Sequence, residues 1–470
     1  MSPLGALFFV FAVAGFLASW TLRNNPKTRT RALALVTIVF WGWVDVRSLV
    51  VLVLVATWVV FVARRLQRTD DRGERRLLQR VGVGAIVLLL LGWRAVPTLL
   101  ETFEQIGAIH VWRGSFWQPI GAAILAIQAV SVVIDVARRD SEVPTWYEAL
   151  LLCGFFPRAI AGPVVRSNRF IMELRQCWDG VVPMEKIAVL VMGAAVKKYV
   201  FAETLTNFTA RVTAVRNVEG VFDMLMSELA AVLAFVCDLS AYTDLAIAAA
   251  LLCGVKLPPN FNAPFSGWTV GEFMRRWHMS ISGFFRDYVL VGLRGNSRSS
   301  TRLFLAVCGT FQLIALWHNF SLSTMIWGAL IGVPVAFEAV KEKRRAERRE
   351  PRKPAPTGVV RWLMALSVTV YFALVSPWFP ADDVSVLWSL YKNNFFHAWD
   401  ATQITTWWVV MVVVLAWLTG AGLFSWLARV VERILLRAPA VLVGTAVALF
   451  VTFMAGLSSN GIPTFLYQSL

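Results

Sequence analysis

Residues 302–340 read "RLFLAVCGTFQLIALWHNFSLSTMIWGALIGVPVAFEAV". No Asp, Glu, Lys or Arg stands between Arg302 and Glu338, and the only interruption is the polar insert around Trp317, His318 and Asn319. Each apolar half, 302–318 and 322–340, is about the length that crosses a bilayer core as a helix. The stretch therefore reads as two membrane helices joined by a short turn, with a histidine at the turn. An ionisable ring at membrane depth costs free energy and needs a reason to be there. Two readings stand at this point: a hydrogen-bonded packing residue, or a catalytic base.

Working outward, the same pattern recurs along the whole chain. Of 470 residues, 57% are hydrophobic and 16% charged, with a mean hydropathy of +0.63. Soluble proteins are roughly 45–50% apolar. Candidate spans fall at 4–22, 32–64 (one hairpin or a pair of short helices), 82–100, 117–137, 149–165, 185–206, 222–254, 302–318, 322–340, 360–378, 404–427 and 438–458. The expected fold class is an all-α polytopic integral membrane protein with about 11–13 membrane helices, some of them short or re-entrant, around a central buried site. The segment "FFPRAIAGP" (155–163) suits a broken or re-entrant element, because its prolines interrupt a helix. The first run, 4–22, has its basic residues after it rather than before, as a membrane anchor does. The chain reads as one membrane-embedded domain over 1–470. It has N-terminal helices to 110, a core at 117–340, a basic loop at 341–361 and C-terminal helices from 362.

The net charge of +16 does not point to nucleic acid, because the basic residues sit in short loops between apolar runs. "RNNPKTRTR" (23–31), "RRLQRTDDRGERRLLQR" (64–80), the loop 341–361 and "RVVERILLR" (429–437) are expected in the cytoplasm, near anionic lipid. The segments 101–110 and 380–400 and the C-terminus are expected outside, so the membrane is a cell (inner or plasma) membrane crossed many times. Cys153, Cys177, Cys237, Cys253 and Cys308 show no paired spacing, and no disulfide framework is expected. His110 and His397 fall in expected external loops, and no metal-ligand spacing joins them to His278 or His318. The absence of a P-loop argues against an ATP-driven pump.

The polar centre of the chain is 235–296. Asp238, Ser240, Tyr242 and Asp244 interrupt an apolar helix, with Asp238 and Tyr242 on one face and Ser240 and Asp244 on another. Such carboxylates either pin helices together or touch substrate. Pro258, Pro259 and Pro264 then stop the helix, and "EFMRRWHMSISGFFRDY" (272–288) reads as a helix lying at the interface. Arg275, Arg276 and Arg286 are donors suited to phosphate or carboxylate, whether of a ligand or of lipid headgroups.

These residues resemble the membrane-bound O-acyltransferase family, in particular its bacterial branch that modifies alginate and teichoic acid. The likeness rests on Ser240, Tyr242, Thr243, Asp244 and Ala246, then Leu257, Pro258, Asn260, Phe261 and Pro264. It continues through Arg275, Arg276, Trp277, His278, Ser280, Ser282, Arg286, Asp287 and Tyr288, and closes on Gly295, Asn296, Trp317 and His318. "FFPRAIAGPVVRSNRF" (155–170) and "GAAVKKYVFAE" (193–203) are similar to two further family segments. Three departures stand out. Asn319 follows the histidine where relatives carry glycine, Ile331 and Gly332 stand near the place of a second family histidine, and "VGLRGN" replaces a Gly-Gly-Asn turn.

The resemblance implies that His318 is the catalytic residue. The implied donor or acceptor channel takes in His278, Arg275, Arg276, Trp277, Ser280, Arg286, Asp287, Tyr288, Asn260, Asn262, Trp317 and Asn319. Asp238, Tyr242 and Asp244 are the structural polar residues and no metal is expected. It also implies no bound cofactor, acyl-CoA or another acyl thioester as co-substrate, a glycan acceptor and a separate extracytoplasmic SGNH-type partner protein. The chemistry is sound on its own terms: acyl transfer to a hydroxyl needs a base near pH 7, and burial beside Leu316, Trp317 and Phe320 favours a neutral imidazole. An acyl-enzyme on Cys308 is excluded, because ten helical residues put it about 15 Å from His318. A lipid or protein acceptor is an alternative, and a secondary transporter using the buried charges as a relay is a more distant one.

Overall fold

The computed structural model describes residues 6–105, 117, 119–159, 162–214, 221–351, 354–379 and 426–456, with isolated positions at 384, 388 and 392. The described residues are helical with irregular connections, and six of their helices are long and apolar enough to cross a membrane. The protein is an all-α polytopic membrane protein. Contacts group the chain into two units, 1–183 with 242–259, and 184–241 with 260–470.

The first unit holds α1 (Ala6–Thr21), α2 (Pro26–Val44), α3 (Val46–Arg68), α4 (Arg72–Gln105), α5 (Ala122–Arg138), α6 (Trp146–Gly154) and α7 (Ser167–Arg175). The expected pair within 32–64 is α2 and α3, and Asp45 divides them. Its carboxylate accepts from the Arg47 and Ser48 backbone N–H groups at 3.3 and 3.2 Å, capping α3. Trp117 Nε1 donates to the same carboxylate at 3.1 Å. Arg75 caps two other helices at once. Its guanidinium donates to the Leu66 and Thr69 carbonyls at the end of α3 and to the Val136 and Ala137 carbonyls at the end of α5, at 2.6–3.2 Å. These are carbonyls that a helix terminus leaves without partners.

The expected break in 149–165 is present. α6 stops at Gly154 and a short 3₁₀ turn covers Phe156–Arg158. Arg158 is buried there, donating to Gln128 Oε1 at 2.6 Å and to the Leu151 and Leu152 carbonyls, with its guanidinium 5.3 Å from the Phe170 ring centre. Gln128 also spans the break, accepting from Val165 N–H at 2.8 Å and donating to Val165 O at 2.9 Å. A cation with this many partners replaces the backbone pairing that the broken helix gives up.

The second unit begins with α8 (Met184–Ala195), which runs through a wide i→i+5 turn at Val196–Ala202 into α9 (Glu203–Ala214). α10 (Val221–Leu252) gives its first part to this unit and its end to the other. Then follow α11 (Val270–Arg276), α12 (Met279–Phe284), a second wide turn at Phe285–Leu290, α13 (Val291–Arg294), α14 (Ser300–His318), α15 (Leu322–Glu347), α16 (Gly358–Val375) and α17 (Ala440–Gly456).

α14 and α15 pack with their backbones close together. A Cβ on Gly328 would stand 3.0 Å from both Ala315 Cβ and the Phe311 carbonyl oxygen, and one on Gly332 would stand 2.8 Å from Phe311 Cβ. Small residues four apart thus let the two backbones approach, as membrane helices without a hydrophobic driving force require. Pro334 lies inside α15 and cannot donate to the Leu330 carbonyl four residues back. Tyr371 of α16 supplies the missing donor, with its hydroxyl 2.6 Å from that oxygen.

Three expectations are corrected. The stretch 272–288 is not one interfacial helix but α11, α12 and a wide turn, broken at Trp277 and His278. The basic segment 64–80 is mostly helix, since α3 runs to Arg68 and α4 starts at Arg72, leaving a three-residue turn. The basic segment after 340 also begins as helix: α15 continues to Glu347, where a Lys343–Glu347 pair at 3.2 Å supports its last turn. His110, His397, most of the span at 404–427 and the C-terminal segment from 457 lie outside the described residues.

Candidate active site

His318 is the last residue of α14. Asn319 follows in extended conformation (φ −151°, ψ 143°) and its N–H returns to the Ala315 carbonyl at 3.0 Å. The Asn319 carbonyl accepts from Thr324 Oγ1 at 2.8 Å, while Ser321 caps α15 by accepting from Thr324 N–H at 3.2 Å. The turn between the two membrane helices is therefore fixed by its own backbone. The half-buried His318 ring sits edge-on between two aromatic rings, Trp317 at 4.3 Å and Phe379 at 4.7 Å between centroids. Trp327 backs Phe379 at 5.0 Å, and Phe285 backs Trp317 at 6.1 Å. Phe320, expected to bury the histidine, is 40% exposed, and Phe379, some sixty residues on, takes that place.

This setting has chemical consequences. The unpaired carbonyls at a helix C-terminus carry partial negative charge, which stabilises a cation on an adjacent side chain. The rings on either side of His318 supply no fixed charge. Asn319 has a backbone conformation that any residue adopts. Its side-chain amide makes no hydrogen bond within the chain among the described residues.

The second constellation is built from the 260–282 segment. Met279 N–H donates to the Asn260 carbonyl at 2.7 Å, Asn262 N–H donates to the Arg276 carbonyl at 3.1 Å, and Ser280 Oγ donates to Asn260 Oδ1. The loop carrying Asn260 and Asn262 is thus laced to the strand-like break between α11 and α12. This lacing is why the single helix expected from the sequence cannot form. His278 pays for it with φ +40°, a left-handed conformation that non-glycine residues rarely adopt. The His278 ring is buried and stacks on Phe261 at 6.1 Å, and burial pushes its imidazole down to about 4. Trp277 fills an aromatic cluster with Phe273, Phe235 and Phe372 at 5.4, 6.1 and 4.9 Å.

All three expected phosphate donors are engaged in ion pairs. Arg275 and Arg276 each hold Glu272, at 2.8 Å. Burial raises the Glu272 carboxyl, but the hydrogen bonds and charges of Arg276 and Arg275 outweigh it and lower its pKa overall. The start of α11 is fixed by Glu338 of α15, which accepts from Thr269 Oγ1 at 2.8 Å and from Gly271 N–H at 3.1 Å. Arg286 is exposed and pairs with its neighbour Asp287 at 2.9 Å, whereas Tyr288 is buried against Phe284 at 4.8 Å. This wide turn packs on α14, so the Arg-Asp-Tyr segment and His318 share one framework through Phe285 and Trp317.

The polar insert of α10 has a partner in the first wide turn. Lys198 donates to the Asp238 carboxylate, with both side chains buried, and Lys197 donates to Ser240 Oγ at 2.9 Å. The widened turn places two consecutive lysines toward α10. Tyr242 and Asp244 belong to the other unit. Reading the sequence missed Phe379, Trp327, Glu272, Glu338 and the Lys198–Asp238 pair. For the last there was a signal, since two lysines in an apolar run demand an acidic partner.

Comparison with known proteins bears directly on this arrangement. The model of the membrane-bound O-acyltransferase family matches residues 34–378, which takes in every residue of the two constellations except Phe379. The chain is 27% identical over 407 residues to a probable alginate O-acetylase, AlgI, of Pseudomonas aeruginosa, covering 85% of this chain and 76% of that protein. It is 24% identical over 363 residues to a peptidoglycan O-acetyltransferase of Helicobacter pylori, covering 70% and 68%. It is 25% identical over 274 residues to a teichoic acid D-alanyltransferase of Bacillus subtilis, covering 54% and 66%. With a match over most of its length and its histidine turn inside that match, this acyltransferase belongs to the membrane-bound O-acyltransferase family.

Proposed function

We propose that the protein moves an acyl group from a thioester donor to a hydroxyl of a cell-envelope glycan, with His318 as general base. The observation that carries this reading is the position of His318, at the C-terminal end of a 19-residue helix and between the rings of Trp317 and Phe379. A neutral imidazole there takes the acceptor hydroxyl proton as its oxygen attacks the thioester carbonyl carbon. The C–S bond then breaks, and the imidazolium returns the proton to the leaving thiolate, so that an ester and a free thiol result. The helix terminus favours the imidazolium between these two events. His278 does not compete for the role, because its burial disfavours the cation.

The polymers in the relatives' names, alginate, peptidoglycan and teichoic acid, support an envelope glycan as acceptor. On this reading the basic segments face the cytoplasm, where an acyl-CoA or similar thioester is made. The acceptor, with an SGNH-type partner protein, approaches from outside. Asn319, whose amide has no bond within the chain among the described residues, orients the acceptor hydroxyl toward His318.

The test is acyl transfer from radiolabelled acetyl-CoA to an envelope glycan acceptor by purified protein in vesicles, for wild type and His318→Ala. The expected result is transfer by wild type and a loss of about 10²–10⁴-fold in the variant. Full transfer by His318→Ala overturns the catalytic assignment. Uptake of label by both proteins without any acyl transfer overturns the enzyme reading in favour of transport.

A further inference from the structure

One face of α3 carries a feature that acyl transfer leaves unexplained. Val50, Leu54, Thr57, Phe61, Arg64 and Arg68 follow at spacings of three and four, so they form one stripe along the helix. The stripe is exposed throughout its length: Val50 is 51%, Leu54 63% and Phe61 49% accessible. Its apolar part, from Val50 to Phe61, is about 16 Å long at 1.5 Å per residue, roughly half the hydrocarbon thickness of a bilayer. Its end is basic, with Arg65 beside Arg64 and Arg68.

A cleft of about 410 Å³ opens at the junction, lined by Thr57, Val60, Phe61, the three arginines and Trp146 of α6. Trp146 Nε1 donates to Thr57 Oγ1 at 3.0 Å, which gives the cleft a fixed far wall. Arg65 lies over the Phe61 ring at 5.4 Å. Among the described residues none of the three guanidiniums makes a hydrogen bond or ion pair within the chain. The acidic side chains that follow in sequence are taken: Asp70 pairs with Arg139 at 3.0 Å, and Asp71 caps α4 by accepting from Glu74 N–H at 2.7 Å. Three guanidiniums that hold no carboxylate among the described residues converge on a cleft that continues into an exposed apolar stripe one leaflet long. That outline matches a single lipid, with a charged head and a chain beneath it. A soluble phosphate would meet the arginines but leave the stripe without an occupant.

We propose that this cleft binds an anionic phospholipid, its phosphate held by Arg64, Arg65 and Arg68 and its acyl chain lying over Phe61, Thr57 and Leu54. Guanidinium is suited to phosphate because its planar fork donates two parallel bonds. Each arginine near an anionic headgroup is worth about a fivefold change in affinity, so the three together contribute about 10²-fold.

The test is native mass spectrometry of the full-length protein, delipidated in mild detergent and titrated with phosphatidylglycerol or phosphatidylcholine. Wild type is expected to retain one phosphatidylglycerol per chain in preference to phosphatidylcholine. The triple variant Arg64→Gln, Arg65→Gln, Arg68→Gln is expected to lose that retention by about 10²-fold. Because all three side chains are exposed, its elution volume and unfolding midpoint serve to show that it folds. Thr57→Trp, which keeps the arginines and fills the cleft floor, is expected to lose the lipid too. As a control for bulk charge, Arg344→Gln with Arg345→Gln and Arg348→Gln is expected to retain it. Equal retention by wild type and the cleft triple variant overturns the proposal, as does equal preference for the two lipids. Displacement of the lipid by millimolar inorganic phosphate or coenzyme A also overturns it, in favour of a soluble-anion site.

Discussion

The chain contains the dipeptide Trp-His twice in its second unit, and the two copies are treated in opposite ways. At 277–278 the tryptophan is packed among phenylalanines, and the histidine is buried in left-handed conformation at the start of a helix. At 317–318 the histidine ends a long helix, half-exposed, held by rings on either side and by a turn that its neighbours stabilise. The first is a joint that carries strain, and the second is a group presented for use. A helix start and burial both disfavour imidazolium, whereas a helix end favours it. On the proposed function, what separates a proton acceptor from a packing residue is its place on a helix, which a dipeptide does not encode.

The sharpest way to break this comparison is to exchange the fates of the two residues. His318→Ala is expected to keep the wild-type unfolding midpoint while losing about 10²–10⁴-fold of transfer rate. His278→Ala should show the reverse order of damage, with stability lost first. A single-turnover assay run beside a thermal melt separates them, and similar melting losses in both would erase the distinction. Next in size is the Lys198–Asp238 ion pair. Lys198→Ala leaves the Asp238 carboxylate buried without its partner and is expected to cost about 3–5 kcal/mol. A double variant, Lys198→Met with Asp238→Leu, is expected to recover much of that loss. No recovery would show that the pair does more than satisfy itself.

A pH series probes His278 directly. Its imidazole is at about 4 in the fold and about 6.5 when unfolded, so the unfolded chain binds the extra proton between those values. Stability is therefore full above pH 6.5 and falls as the pH drops toward 4, by an amount on the order of 3 kcal/mol. In His278→Gln that acid-side slope is expected to disappear from denaturant titrations. A smaller loss, about 1–3 kcal/mol, is expected for Tyr371→Phe, which leaves the Leu330 carbonyl without the donor that Pro334 denies it. Smallest of all is Asn319→Gly. Its extended backbone needs no special residue, so the fold is expected to be unchanged and the acceptor KM to rise less than tenfold at constant kcat.

Much of this architecture was legible because apolar runs of membrane length have few alternatives. The division of 32–64 and the α14–α15 hairpin follow from the lengths of the apolar runs and the polar residues between them, and the interruption at 155–158 from its prolines. The break at Trp277 and His278 was not legible, since the pattern of 272–288 suits one helix. The Asn260 loop that splits it acts through backbone hydrogen bonds, which side-chain patterns do not report. Arg275 and Arg276 read as ligand donors in isolation, whereas Glu272, three and four residues before them, takes both as partners. Phe379 was beyond reach for a different reason: only the packing of α16 on α15 brings it to the histidine. Yet Pro334 was visible, and a proline inside an apolar helix always announces an orphaned carbonyl and hence a donor on a neighbour.

The glycines at 328 and 332 have one more consequence. With Phe311 and Ala315 seated directly on the α15 backbone at Gly328 and Gly332, α14 and α15 leave no room for a side chain between them there, and His318 stands at the bend of the hairpin. A group at such an apex has little freedom to swing toward a distant partner. On the proposed function, travel is left to the donor and acceptor, so turnover should follow how quickly they arrive and depart rather than how this hairpin moves. Bulky residues at 328 or 332 would act like a wedge driven into the hairpin, tilting the ring that everything else holds still.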